Sequence, residues 1–488
     1  MSIGKRAARG VAWNMLLGIA SRVFQLVGTL VLTRFIAPDE YGAVLAASIT
    51  VATAGTFTTL AFGQFLIARR ATAEVAVQAM AVHVLLGILA MALVVPLRGP
   101  LGAMVDTPTM GPYILGYAVA HVIDRLRYVP ERMLVRALRF RTLATINGVG
   151  DILLTVTAIS TASRWGAYAI VCGTLVKSVV TAVLFFAMSP RAAWLAPLRF
   201  RRADLRTLFG YGLPLLIGSI TDRAATRWDN LIISRLFSAA VMGRYNLAFS
   251  LAEMPGVTIA ETIGDVLMPS LAQMDDVQRK RAVVRAAEMM GLVIAPLGVG
   301  LAALSGTLVE TFFDARWASM APMLAILCSM SVVRPMIMSL VSYLEVTERT
   351  RFIMIASFVR ALLCLALVAL GGVYGGPLWA CAGACVGYAG HTVFTIFGAT
   401  YIGDISTAAY FRAVGRPLLP CLPMAVAVLG AAHLLAAWSA PHVVSLLAEV
   451  ATGIVVYVVS AFVLVHTAAR ELLRIGLAVV RRRRAGEA

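Results

Sequence analysis

Fourteen apolar stretches follow one another along the chain, each about 20 residues or longer and so able to cross a hydrocarbon core of about 30 Å as a helix. They cover 11–33, 42–67, 75–96, 111–129, 143–163, 166–188, 209–235, 241–262, 287–307, 318–342, 352–372, 377–398, 416–438 and 443–467. The intervals between them are too short for a soluble domain. An all-α membrane protein is expected, with each span satisfying its own backbone amides. Composition agrees: 60% of residues are hydrophobic, 14% are charged, and mean hydropathy is +0.86. An even number of spans puts both termini on one side.

Loops that retain Lys and Arg mark the cytoplasmic side. With both termini inside, cytoplasmic segments hold 28 of the 42 basic residues, including Lys5, Arg6, Arg9, Arg132, Arg136, Arg139, Arg141 and the run 481–484. Arg34, Arg98, Arg164, Arg235, Arg244 and Arg316 fall at the opposite face, which leaves eight basic residues inside spans. The net charge of +18 is thus explained by loops lying beside anionic lipid, and no nucleic-acid partner is expected. The six cysteines all lie in apolar spans without a disulfide or metal-ligand pattern, and Cys381 with Cys385 reads as small-residue packing. The apolar N-terminal segment lacks a cleavage signature and reads as a retained first span.

Two segments match at an offset of 201 residues: "SRVFQLVGTLVLTRFIAPDEYG" from Ser21 and "DRAATRWDNLIISRLFSAAVMG" from Asp222. Arg22 falls on Arg223, Arg34 on Arg235, Gly42 on Gly243, Ala47 on Ala248 and Gly63 on Gly264. A weaker echo pairs "GAYAIVCG" at Gly166 with "GPLWACAG" at Gly376. The repeat unit is about six spans. The expected organisation is therefore an N-lobe over 1–205, a C-lobe over 206–405, and two further spans with a basic tail over 406–488. Parallel repeats of this kind are a transporter signature, with substrate bound between the halves near the midplane. Pro214, Pro255, Pro296, Pro322 and Pro335, in or at the ends of spans, fit kinked helices.

The seventh span is the most charged. At 100° per residue, Ser219, Asp222, Arg223, Thr226, Arg227, Asp229, Asn230 and Ser234 share an arc of about 160°, opposite Ile220, Ala224, Ala225, Trp228, Leu231 and Ile232. Each charge at depth costs at least ~2.5 kcal/mol on insertion scales, so this arc is expected to face protein or an aqueous cavity. Arg223 and its repeat mate Arg22 fall at similar depths and would form a clamp for phosphate oxygens, a task suited to planar guanidinium groups. The competing reading is that Asp222, Arg227 and Asp229 pair to lock the bundle. Lys177 and Arg360 are candidates to extend a basic cavity, with Arg334 and Asp151 nearer the cytoplasmic side. Glu253, Asp222 and Asp229 are candidates for ion coupling or for pairing with arginine. Asp124, Arg125 and Arg127 end the fourth span and are expected to snorkel. No metal, nucleotide or hydrolase motif occurs, so neither a cofactor nor catalysis is expected.

Several blocks carry a resemblance: "LTRFIAPDEYGAVLAA", "VPERMLVRALRFRTLA", "GYGLPLLIGSI", "WDNLIISRLFSAAVMGRYNLAFSLAEMPG" and "FFDARWASMAPMLAIL". In order and spacing the chain resembles the oligosaccharide flippases of the multidrug/oligosaccharidyl-lipid/polysaccharide exporter superfamily. The resemblance implies two six-helix lobes in a V, a cationic cavity, and alternating access. It implies an undecaprenyl-diphosphate-linked oligosaccharide turned from the cytoplasmic to the periplasmic leaflet of a bacterial inner membrane, with a polysaccharide polymerase and other export components as partners. Three alternatives stay open: a lipid-II flippase, an ion-coupled multidrug exporter of the same superfamily, and a scaffold for polysaccharide enzymes.

Overall fold

The computed structural model describes residues 24–60, 62–68 and 72–474. Arg22 lies outside the described residues. Every regular element among them is helical. The first ten helices are α1 (Phe24–Phe35), α2 (Pro38–Phe57), α3 (Phe62–Ala68), α4 (Ala73–Val94), α5 (Arg98–Met104), α6 (Gly111–Arg136), α7 (Phe140–Trp165), α8 (Tyr168–Met188), α9 (Arg202–Arg223) and α10 (Asp229–Leu236). Then come α11 (Ala239–Ala272), α12 (Asp276–Ala303), α13 (Ser305–Phe312), α14 (Met320–Val333), α15 (Met338–Val346), α16 (Thr350–Gly375), α17 (Pro377–Gly403), α18 (Thr407–Gly415), α19 (Cys421–Ala437) and α20 (His442–Leu464). Among the described residues, nine helical segments are long and apolar enough to cross a membrane.

Local chemistry sets several starts. Thr72 caps α4 by accepting from the Val75 amide, and Asp275 caps α12 by accepting from the Gln278 amide at 2.8 Å. Asp276 adds a negative charge to the first turn of α12, next to the helix's positive end.

The chain divides into two compact units, Met1–Gly243 and Arg244–Ala488. The division falls after the seventh span, whereas the repeat places its boundary at 205/206 before it. The first unit's core shows why: Leu208 of α9 is buried with Leu60, Phe62, Leu66, Ala76, Val129 and Met133 from α2–α3, α4 and α6. In the second unit Leu271, Val283, Leu340, Tyr343, Ile396 and Tyr410 form the corresponding buried cluster.

The 210-residue echo has a structural counterpart in each unit. Leu138 and Glu348 leave α6 and α15 with φ of 55° and 57°. The amides of the next residues, Arg139 and Arg349, donate back to Leu134 and Leu344 carbonyls, closing Schellman-type caps. Gly166 (φ 52°) and Gly376 (φ 82°) then end α7 and α16, where a side chain would be strained. A Cβ on Gly173 would lie 2.5 Å from the Leu154 carbonyl oxygen, and one on Gly383 would lie 2.1 Å from that of Leu367. The glycines thus bring α8 onto α7 and α17 onto α16 at backbone contact, the close approach that stabilises helix pairs where lipid offers no hydrophobic drive.

Candidate functional site

The seventh span is not one uniform helix. Between α9 and α10, residues Ala224–Trp228 form a π-helical turn, a feature that often marks functional sites and shifts the register of the helix beyond it. It divides the arc that uniform α-helical spacing groups together. Asp222 and Arg227 are exposed, Arg223 and Thr226 are half-buried, and Asp229, Asn230 and Ser234 are buried at 4%, 1% and 0% exposure. The Thr226 hydroxyl donates to the Asp222 carbonyl at 2.8 Å. Asn230 Nδ2 donates to Asp229 Oδ1 at 3.0 Å. Ser234 Oγ donates to the Val105 carbonyl at 2.8 Å and lies 2.7 Å from Thr107 Oγ1. The polar face of α10 is therefore seated within the first unit, while Asp222, just before the π turn, and Arg227, within it, are exposed.

Arg223 ends α9 and reaches α2: its Nε donates to Thr56 Oγ1 at 3.3 Å. This is where the second span breaks, because α2 stops at Phe57 and α3 begins at Phe62. A second guanidinium meets the same turn. Arg125, on α6, is 3% exposed. Its Nη2 donates to the Gly55 carbonyl at 2.5 Å and Thr58 Oγ1 at 2.9 Å, and its Nη1 donates to the Thr58 carbonyl at 3.3 Å. Its Nε donates to His121 Nε2 at 3.0 Å, and Nη1 lies 3.1 Å from His83 Nδ1. None of these partners is a carboxylate. The carbonyls at the C-terminal end of α2 carry that helix's negative pole, which is where a buried cation is best tolerated.

Two glycines make room for this arrangement. A Cβ on Gly55 would fall 2.2 Å from His121 Cε1, and one on Gly87 would fall 2.7 Å from Arg125 Cγ. His83 stacks on Tyr128 at 4.2 Å between ring centroids, and the Tyr128 hydroxyl accepts from the Gly63 amide at 3.0 Å, pinning the start of α3. Arg125 is thus buried, contrary to the snorkelling expected of it. The end-of-span position does not reach water, because α2 and α4 close over it. A signal was present in the spacing: His121 with Arg125, and His83 with Gly87, are each four residues apart and so share a helix face. Arg127 on the same helix is held by Asp124 at 2.8 Å and Glu131 at 3.2 Å. Beside this network a cavity of about 350 Å³ opens among α2, α6 and α8, with Tyr41, Ser48, Tyr117, His121, Asp124 and Thr174 as its polar lining.

The remaining candidates are dispersed. Lys177 on α8 pairs with Asp151 on α7, Nζ to Oδ1 2.6 Å, and Gly150 leaves the space along which its stem lies. This joins two neighbouring helices of the first unit. In the second unit Arg334 forms an ion pair with Glu253, and its guanidinium sits 6.0 Å from the Tyr388 ring centroid. Arg360, on α16, is half-buried. The site that the first unit assembles is therefore Arg223 and Arg125 on the broken second span, flanked by the π turn with exposed Arg227. Among the described residues no group of acidic, His or Cys side chains has a metal-binding arrangement.

Known proteins share both the sequence and the fold. The lipopolysaccharide biosynthesis protein WzxC of Escherichia coli K12 is 24% identical over 78% of this chain and 77% of its own length. The succinoglycan biosynthesis transport protein ExoT of Rhizobium meliloti is 24% identical over 98% of this chain and 97% of its own. Among solved structures, the lipid II flippase MurJ in an inward closed conformation superposes with a TM-score of 0.76 at 13% identity, covering 92% of this chain and 98% of that one. An inward-facing multidrug resistance transporter of the MATE family, in the MOP superfamily, gives 0.61 at 14% identity, covering 82% and 99%. The fold is thus the one these two structures share. The family described as polysaccharide biosynthesis protein matches residues 31–322, more than half of the chain. This multi-pass membrane protein belongs to that family of polysaccharide biosynthesis proteins.

Proposed function

We propose that the chain is a flippase that turns an undecaprenyl-diphosphate-linked oligosaccharide from the cytoplasmic to the periplasmic leaflet of a bacterial inner membrane, by alternating access and without catalysis. In this reading the chain has fourteen spans and cytoplasmic termini, and the two six-span repeats are the moving halves. The observation that carries the reading is the pair of guanidinium groups, from Arg223 and Arg125, on the broken turn of α2. Arg125 is wholly committed to protein acceptors. Among the described residues Arg223 makes one long hydrogen bond and is half-buried, so it is the group able to exchange a threonine for a pyrophosphate oxygen. Arg227, exposed one turn further on, is the second ligand, and Arg22 is the third by its repeat position.

The test is translocation of a labelled polyprenyl-diphosphate oligosaccharide in proteoliposomes. Arg223→Ala is expected to lower the rate at least about tenfold, the loss of one charge-assisted contact of roughly 1.5–3 kcal/mol. Arg223→Lys, which keeps charge but not the fork, should be intermediate. Unchanged translocation in Arg223→Ala at equal protein level would overturn the reading. Loss of resistance to toxic cations, with lipid translocation absent throughout, would instead mark a drug exporter.

A further inference from the structure

The second unit holds an apolar cavity of about 410 Å³ between α12, α19 and α20, lined by residues such as Leu297, Leu301, Met424, Val428 and Ile454. One carboxyl enters it, and Tyr457 adds a hydroxyl to the lining. Glu449, on α20, is 1% exposed. Its Oε1 accepts from the Thr307 hydroxyl at 2.9 Å, whereas Oε2 is buried with no hydrogen-bond partner among the described residues. A carboxylate in this wall would leave a charged oxygen without a donor at membrane depth, an arrangement costing several kcal/mol. The neutral acid fits it.

We propose that Glu449 is a proton-binding site, loaded and emptied through the end of the fold that carries His442. The donor set selects the ligand: one carboxyl, the Thr307 hydroxyl bonded to it and the Tyr457 hydroxyl committed to Leu292 are too few oxygens to replace the shell of a metal cation, which takes six or more, whereas a proton needs one. The route is built from exchangeable groups. His442 begins α20 and pairs with Glu310 of α13 at 3.5 Å, both 63% exposed in their side chains. Glu310 lies one helical turn from Thr307, on the same face of α13, and Thr307 holds Glu449. Glu449 lies seven residues, about 10 Å, into α20 from His442.

The other neighbours offer no competing charge. The stretch of α12 lining the cavity, from Pro296 to Leu304, is uncharged, and on α19 His433 is exposed and outside the lining. Below Glu449, the Tyr457 hydroxyl donates to the Leu292 carbonyl at 2.6 Å, so among the described residues the chain of exchangeable groups stops there. A one-sided site of this kind takes up a proton from one compartment and returns it to the same one, and so senses that compartment's acidity without conducting.

The test uses dicyclohexylcarbodiimide, an apolar reagent that adds to a protonated carboxyl in an apolar setting, on the full chain reconstituted in liposomes with independently set pH on each side. The adduct at Glu449 is read by mass spectrometry. Labelling is expected to fall about tenfold when the pH on the His442 face is raised from about 5.5 to about 8.5, and to be unaffected by pH on the other face. Glu449→Gln, nearly isosteric, should abolish the adduct. Glu310→Gln with His442→Ala should slow its response to a pH jump at that face. Absence of the adduct at every pH, labelling independent of pH, or labelling that follows the opposite face would each overturn the proposal. None of these readouts involves a saccharide substrate, so the proposal stands or falls apart from the flippase reading.

Discussion

Arg125 and Arg223 meet the same turn of α2, yet their burial assigns them opposite consequences. Arg125 gives its guanidinium to two carbonyls, a threonine and two histidines. Removing it strands several buried acceptors at roughly 1–3 kcal/mol each. Arg125→Ala is therefore expected to lose most folded protein, measured as monodisperse yield and melting temperature in detergent, while Arg223→Ala should keep both near wild type and lose translocation. The Lys177–Asp151 pair gives a second residue-level expectation. Lys177→Met or Asp151→Leu alone should lower the melting temperature, and the double substitution should recover most of the loss, because a charge left without this partner is what costs. Arg125 was hidden from sequence reasoning because span-end arginines usually reach water. What buries this one is a hole shaped by Gly55 and Gly87, which lie on other helices.

At the scale of elements, the echo at an offset of 210 was legible because glycines tied to positive φ or backbone contact cannot drift. Gly166 and Gly376 end equivalent helices, and Gly173 and Gly383 serve equivalent contacts. Gly42 and Gly243, repeat mates at 201, meet within the first unit, where a Cβ on Gly42 would fall 1.8 Å from the Ala239 carbonyl oxygen and one on Gly243 would fall 2.4 Å from that of Pro38. Gly42→Leu is expected to unfold this junction, seen as protease cleavage between α1 and α2. The π turn was not legible, since a wheel of 100° per residue assumes the register that the turn alters. It carries its own prediction. Deleting Thr226 should convert the turn to α-helix and leave Ser234 bonded to Val105, whereas deleting Ile220 from α9 should dislodge Arg223. A cysteine cross-link between positions 107 and 234 reports the difference: it should form after the first deletion and fail if the π turn is needed to seat α10.

At the scale of the whole molecule, the packing boundary and the boundary expected from the sequence repeat do not coincide. The repeat reading divides the chain at 205/206, and the compact units divide after Gly243. Co-expressed fragments 1–237 and 238–488, cut between α10 and α11, are expected to reassemble better than fragments 1–205 and 206–488, by co-purification and restored export. The all-helical, multi-span character was legible because bilayer thickness acts on composition alone. Which unit the seventh span joins was not, because that depends on which surfaces pack.

The unwound turn between α2 and α3 has a consequence for how the chain is made. Gly212 of α9 lies so close that a Cβ there would be 2.0 Å from the Leu60 carbonyl oxygen. Arg125 of α6 already holds the Gly55 and Thr58 carbonyls, but until α9 leaves the ribosome the Leu60 end of the turn lacks its cover, and an uncovered carbonyl at membrane depth is costly in lipid. A nascent chain halted after its sixth hydrophobic segment would thus remain with the insertion machinery or be handed to a membrane protease. Emergence of the seventh segment is the moment in synthesis at which the first half can be released.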